Sequence, residues 1–356
     1  MNAPPQPSAP SPMRPEHRNH FNTIRLLTAW AVIVAHHYSI TGVTAPAWIS
    51  NQWLNWAWLG GVAVMTFFVI SGYLVTLSWM REPRLLPFLW KRVLRLWPGL
   101  CGTVLICIFV FGLAFTALPA PAYLTSASVL EFVGNLTLVR AATGLPGVFT
   151  GQPVAGTMNG PLWTIPLEFF SYCALAVAGL LGILHHRWVG SLLCAAYMLW
   201  YLLCKNDDVT GELVLWPMYT AYFAAGCLIG LHSQWFRQHA SRLLMLLLPL
   251  CLLAYFLTPY QSTARFLLWP ILIIAIGSRS AQRNWLHRIG DPSYGIYLYG
   301  FPVAQAVTAL WPQLPFGINL AVTIATATAL GCASWRYIES RALRYKSPSF
   351  LRKAAS

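Results

Sequence analysis

The chain has 356 residues, 57% hydrophobic and only 9% charged, with a net charge of +14. A soluble domain carries about 25% charged residues, and a globule this apolar would expose too much hydrophobic surface to stay dissolved. The basic residues fall in short clusters between apolar runs, without a basic helix or a nucleic-acid motif, which excludes a nucleic-acid partner and fits orientation in a bilayer.

Residues 1–20 are rich in Pro and Ser and poor in large apolar side chains, so they are expected to form a disordered cytoplasmic tail. No signal peptide is expected: a long apolar stretch follows without a small-residue cleavage site. From Phe21 onward the sequence predicts an all-α, polytopic membrane helix bundle with about ten transmembrane helices. The spans fall near 22–42, 58–79, 99–118, 163–184, 189–204, 213–231, 243–258, 265–278, 293–311 and 317–337. The segment near 128–139, with Glu131 and Asn135, is too short to cross and is expected at the interface. One domain accounts for residues 21–346, and 347–356 form a short basic cytoplasmic tail.

Charge placement supports the count. With the N-terminus in the cytoplasm, the cytoplasmic segments collect every Lys and Arg except Arg140, Lys205 and Arg265, and the C-terminus is cytoplasmic too. A wrong number of spans would invert every loop after the error. The eight Cys lie mostly in apolar segments without CxxC or zinc-like spacing, so no metal is expected and they read as small hydrophobes.

Six segments carry the candidate chemistry. In RLLTAWAVIVAHH, Arg25 and His36 are eleven positions apart, about three helical turns, and share one face about 16 Å apart along the axis. Arg25 then sits at the membrane mouth, as an ordinary positive-inside anchor or more. His36 lies deep in the hydrocarbon, where an ionisable residue marks a functional site unless it is a satisfied core histidine. His37 lies about 100° around the helix and faces elsewhere.

In GGVAVMTFFVISGYLVTLSW, Ser71-Gly72 interrupts a bulky span; close helix approach is the expected use, and Ser71 as a nucleophile would need a base beside it. In FLWKRVLRLWPGL, Arg92 and Arg95 share a helix face, with Lys91 nearby, and suit either phosphates or anionic lipid headgroups. In NGPLWTIPLEFFSY, Glu168 falls near the outer end of span four. There it would orient His36, hold a sugar hydroxyl or pair with an Arg. In GDPSYGIYLYGFPV, Asp291 suits an N-cap, and Tyr294 and Tyr297 suit hydrogen bonds within the bundle. In SWRYIESRALRY, Arg336, Glu339 and Arg341 mark the inner end of the last span.

Taken in this order, the six segments resemble the acyltransferase-3 family of integral membrane acyltransferases over nearly the whole chain, Phe21 to about Tyr345. The basic residue, ten intervening residues and His of Arg25–His36 are similar to the family's signature. FFVISGYL, Arg92 with Arg95, LWTIPLEF and SYGIYLYGFPV are similar to its other blocks. Asn22, Met65 and Gly300 depart from the pattern where an acidic residue, an Asp and a His are frequent.

The resemblance implies transfer of an acyl group, usually acetyl from cytoplasmic acetyl-CoA, to a hydroxyl of a cell-envelope or exported glycan, in the bacterial inner membrane. Arg25, Arg92 and Arg95 would bind the donor's phosphates. His36 would be general base or transient acyl carrier, Glu168 would position His36 or the sugar, and Ser71, Tyr294 and Tyr297 would support the site. The alternatives are a transporter or flippase for a lipid-linked glycan, with Glu168 and His36 as a proton relay, and an inactive scaffold.

Overall fold

The computed structural model describes residues 19–50, 58–204, 212–256, 261–280 and 290–346. The expected C-terminal tail and the first eighteen residues lie outside them. Asn19 and His20, assigned to the N-terminal tail, are held in place: the His20 backbone N–H donates to Gly277 O at 3.0 Å, and Asn19 pairs with Ser280.

Among the described residues the chain is all-helical, with isolated bridges but no strand. Ten long helices among the described residues overlap the ten predicted segments. They are α1 (Phe21–Thr41), α2 (Leu59–Arg81), α3 (Leu85–Ile106), α4 (Thr164–Leu180) and α5 (Arg187–Cys204). After these come α6 (Glu212–Leu231), α7 (Ser233–Phe256), α8 (Gln261–Gly277), α9 (Ser293–Leu310) and α10 (Phe316–Ser334).

By length and composition, five helical stretches of the described residues suffice to cross a membrane: Leu59–Arg81, Leu85–Phe115, Gly160–Leu180, Arg187–Cys204 and Phe316–Lys346. The count of about ten crossings therefore goes beyond what the helices establish. The shortfall has a physical cause in α1, where Arg25, Thr28, His36, His37 and Thr41 dilute the apolar content. The 128–139 segment forms a short helix, Ala127–Val133, and a 3₁₀ turn, Gly134–Thr137, well short of a span.

Burial sorts the helices into an inner and an outer set. Every residue of α9 from Ser293 to Val307 is buried, so protein surrounds this helix on all sides. It packs on α1 and α10. In α5 only Gly190 and Tyr201 are buried, while Trp188, Leu192 and Leu203 stand exposed as an apolar surface.

The closest approach joins α2 to α6. A Cβ on Gly72 would lie 2.1 Å from Phe223 O, and one on Gly226 would lie 2.2 Å from Val69 O. Gly226 and Gly230 form a GxxxG face, so the predicted close helix approach at Gly72 meets a matching stripe of small residues. Gly72→Ala should destabilise the protein by about 1–3 kcal/mol, because the obstacle is backbone and cannot rotate away. Thermal unfolding in detergent measures this, and an unchanged midpoint would contradict the packing.

The third span starts earlier than expected. α3 runs from Leu85 through the arginine segment and past Pro98, so Arg92 and Arg95 belong to the same helix as the span rather than to a segment before it. Beyond Ile106 it continues as a π-turn, Cys107–Gly112, where the Tyr123 hydroxyl donates to Ile108 O at 3.1 Å.

Candidate active site

A cavity of about 410 Å³ lies among α1, α2, α3, α4, α9 and the chain's last helical turns. It gathers Arg25, Arg92 and Arg95 from two helices distant in sequence. Arg25 Nη1 donates to Asp291 Oδ2 at 3.0 Å, and Arg95 Nη2 donates to the same oxygen at 2.7 Å. Glu339 Oε2 stands 3.9 Å from Arg95 Nη1, and the buried Glu339 carboxylate accepts from Ser334 Oγ at 2.9 Å.

Asp291 is the residue that sequence reasoning misplaced. Pro292 takes the N-cap position of α9, without a side-chain cap, and the Asp291 carboxylate turns to the arginines instead. Its placement depends on Gly290 at φ +91°, where a Cβ would sit 2.1 Å from Trp335 Nε1, so only glycine fits. Burial pushes the Asp291 carboxyl up, but Arg95, then Arg25 and the Ser293 hydrogen bond outweigh it and hold the group at about 2. The signal was available: few carboxylates face many cations in this chain, and a buried cation needs a partner.

Arg92 is different. It makes no ion pair among the described residues, and its enclosed Nε has no hydrogen-bond partner. Its guanidinium lies 5.8 Å from the ring centres of Phe88 and Tyr172. A guanidinium held by aromatic faces rather than by a paired carboxylate in a part-buried cavity favours an anion.

Beside Arg92, through Tyr172, lies a hydroxyl–carboxylate cluster. Ser71 Oγ donates to Glu168 Oε1 at 3.0 Å and lies 2.8 Å from Tyr172 Oη, and Tyr172 also hydrogen-bonds Glu168. Glu168, expected near the outer end and close to His36, thus shares the arginine cavity and has Ser71 and Tyr172 as its partners. The carboxylate beside Ser71 is the kind of base that a nucleophilic serine needs.

His36 lies in a separate constriction, with Gly300, Phe301 and Ala304 among its walls. Its ring meets Trp58 edge-on at 4.9 Å and Phe301 at 5.4 Å between centroids. His37 is fully buried against Phe316 with neither ring nitrogen hydrogen-bonded. Tyr297 lines both the constriction and the arginine cavity. Its hydroxyl donates to Pro161 O at 3.0 Å and lies 2.6 Å from Thr164 Oγ1, fixing the ring between the two spaces. Tyr294 also lines the cavity, with its hydroxyl donating to Leu96 O at 2.9 Å.

A bundle of apolar helices enclosing a cavity lined by arginines, hydroxyls and a carboxylate is an integral membrane protein with an enzyme's interior. A family model described as an acyltransferase domain, that of acyltransferase-3, matches residues 18–335, and the chain belongs to that family. It is an O-acyltransferase.

The chain is similar to an O-acetyl transferase of Shigella phage Sf6, 26% identical over 346 residues, covering 93% of this chain and 97% of the relative. It is also similar to nodulation protein 10 of Rhizobium leguminosarum bv. viciae, 26% identical over 378 residues, covering 95% of this chain and 96% of the relative. No solved structure matches.

Proposed function

We propose that this protein moves an acyl group, acetyl in the simplest case, from cytoplasmic acyl-CoA to a hydroxyl of a cell-envelope or exported glycan. In this reading it crosses the bacterial inner membrane about ten times, with both termini in the cytoplasm. The observation that carries the donor is Arg92, a cation without an ion-pair partner among the described residues, facing a cavity that Arg25 and Arg95 also line. Pyrophosphate is the anion such a fork of donors suits. The acetyl group is supported by the name of the phage relative.

The donor's pyrophosphate lies at the arginine end beside Arg92, and the thioester points along the cavity toward Tyr297 and His36. As general base, His36 takes the proton from the acceptor hydroxyl as its oxygen attacks the thioester carbonyl carbon; the C–S bond breaks and the CoA thiolate leaves. As acyl carrier, neutral His36 attacks first, releases CoA and then yields the acyl group to the hydroxyl, whose proton returns to the imidazole or water. In both forms the ring must meet the thioester past Tyr297, whose hydroxyl latch to Thr164 and Pro161 keeps the two spaces apart at rest.

Family membership weighs against the transporter alternative, and label transfer decides it. Membranes containing the protein and given acetyl-CoA labelled in the acetyl carbon should incorporate label into a glycan fraction, and membranes lacking it should not. Glycan movement without label incorporation would overturn the reading.

A further inference from the structure

At about 410 Å³ the arginine cavity suits one drug-sized ligand, and a donor as long as acyl-CoA would extend beyond it. The pantetheine arm with its thioester, about 15 Å when extended, is the part that fits such a channel. The nucleotide end would then lie outside it.

A second cavity, of about 470 Å³, adjoins the first at the turn from α2 to α3. Leu74 lines both, and Lys91 of the second cavity directly precedes Arg92 of the first. Its cations are Arg81, Arg84 and Lys91, set against a single carboxylate, Glu82, over an apolar floor of Leu74 and Leu77.

The cluster is organised rather than merely charged. Lys91 Nζ donates to Glu82, and Arg84 Nη2 stands 3.7 Å from Glu82 Oε1. Arg81 makes no ion pair among the described residues. The hydrogen bond from Lys91 holds the Glu82 carboxyl below its usual range, so it remains ionised at neutral pH and anchors its neighbours. Three cations and one carboxylate leave an excess that matches a phosphomonoester, which carries about −1.5 to −2 charges.

We propose that this second cavity binds the 3′-phosphoadenosine end of the acyl donor, with Arg81 and Arg84 on the 3′-phosphate and the pyrophosphate bridging Lys91 and Arg92. The assignment rests on acyl-CoA being the donor. Adenine would lie on the Leu74 and Leu77 floor, and the pantetheine arm would enter the arginine cavity. An anionic lipid headgroup offers the same phosphate chemistry, so the test separates the two sources.

The full-length protein in nanodiscs is titrated with CoA and with 3′-dephospho-CoA, at fixed salt and with either zwitterionic or anionic lipid. CoA should bind at least tenfold more tightly. In an Arg81→Gln/Arg84→Gln variant, whose changes are exposed at the turn, CoA affinity should fall to that of the dephospho form, with unchanged thermal stability. Equal affinities in the unaltered protein, or discrimination surviving in the variant, would overturn the assignment while leaving acyl-CoA as donor. A variant that loses only its response to anionic lipid would assign these arginines to headgroups instead. Binding of neither compound would remove the acyl-CoA reading itself.

Discussion

His36→Ala is expected to abolish acyl transfer, a loss of at least about 10²–10⁴-fold, while the protein still inserts and accumulates. The ring's contacts in its constriction are edge-on aromatic ones to Trp58 and Phe301, and it makes no hydrogen bond among the described residues. Truncation therefore removes chemistry more than structure. His36→Gln provides the control, since it keeps most of the volume but supplies neither a titratable base nor a nucleophilic nitrogen. Both variants should fail in the label-transfer assay with near-normal thermal unfolding. Full activity in either would refute a catalytic imidazole at this position. Addition of free imidazole should partly restore the Ala variant, an effect that a purely structural histidine would not produce.

The helices were legible because the apolar runs are long and the basic clusters fall between them. The ends were less so. α7 begins at Ser233, ten residues before the predicted span, because its first turns read QWFRQHASR, a polar stretch that hydropathy assigns to a loop. α3 was shortened for a similar reason: the Lys91, Arg92 and Arg95 cluster looks like an interface, yet Leu94 and Leu96 are buried and the helix carries through.

The candidate residues were legible one at a time. Sequence spacing places Arg25 and His36 on one continuous helix, and α1 is unbroken from Phe21 to Thr41. It also places Arg92 and Arg95 on one face of α3. What spacing within a segment does not contain is which distant segments meet. Glu168 finds Ser71 across 97 residues, and Asp291 finds Arg25 across 266. Tyr297 is another case: its hydroxyl is an ordinary bundle hydrogen bond by sequence, and only the three-dimensional arrangement places its ring between the two spaces.

Asp291→Asn should be the most damaging single change outside the imidazole. One carboxylate oxygen serves both Arg25 and Arg95, whose side chains retain only 20% and 17% of their exposure. The amide keeps the shape but leaves Arg25 without a counter-charge and Arg95 with only the more distant Glu339 at 3.9 Å. Removing one partner from a buried ionic cluster costs about 3–5 kcal/mol, and the partial exposure of both arginines places this case toward the lower end. Acyl transfer should fall as well, because the arginines would no longer be held at the donor end of the cavity.

The pH dependence separates this charge effect from lost packing. The folded carboxyl lies at about 2, below its ordinary value, so its contribution is complete above about pH 4 and disappears as pH falls through about 2. The stability difference between the natural protein and the Asn variant should therefore be constant from neutral pH to about pH 4 and close below it. A difference that persists unchanged at pH 2, or is absent at pH 7, would mean that Asp291 does not neutralise the arginines. The carboxylate thereby sets a division among the cavity's cations: Arg25 and Arg95 are held in register by an internal partner, and Arg92, without one among the described residues, is the cation that the proposed donor would engage.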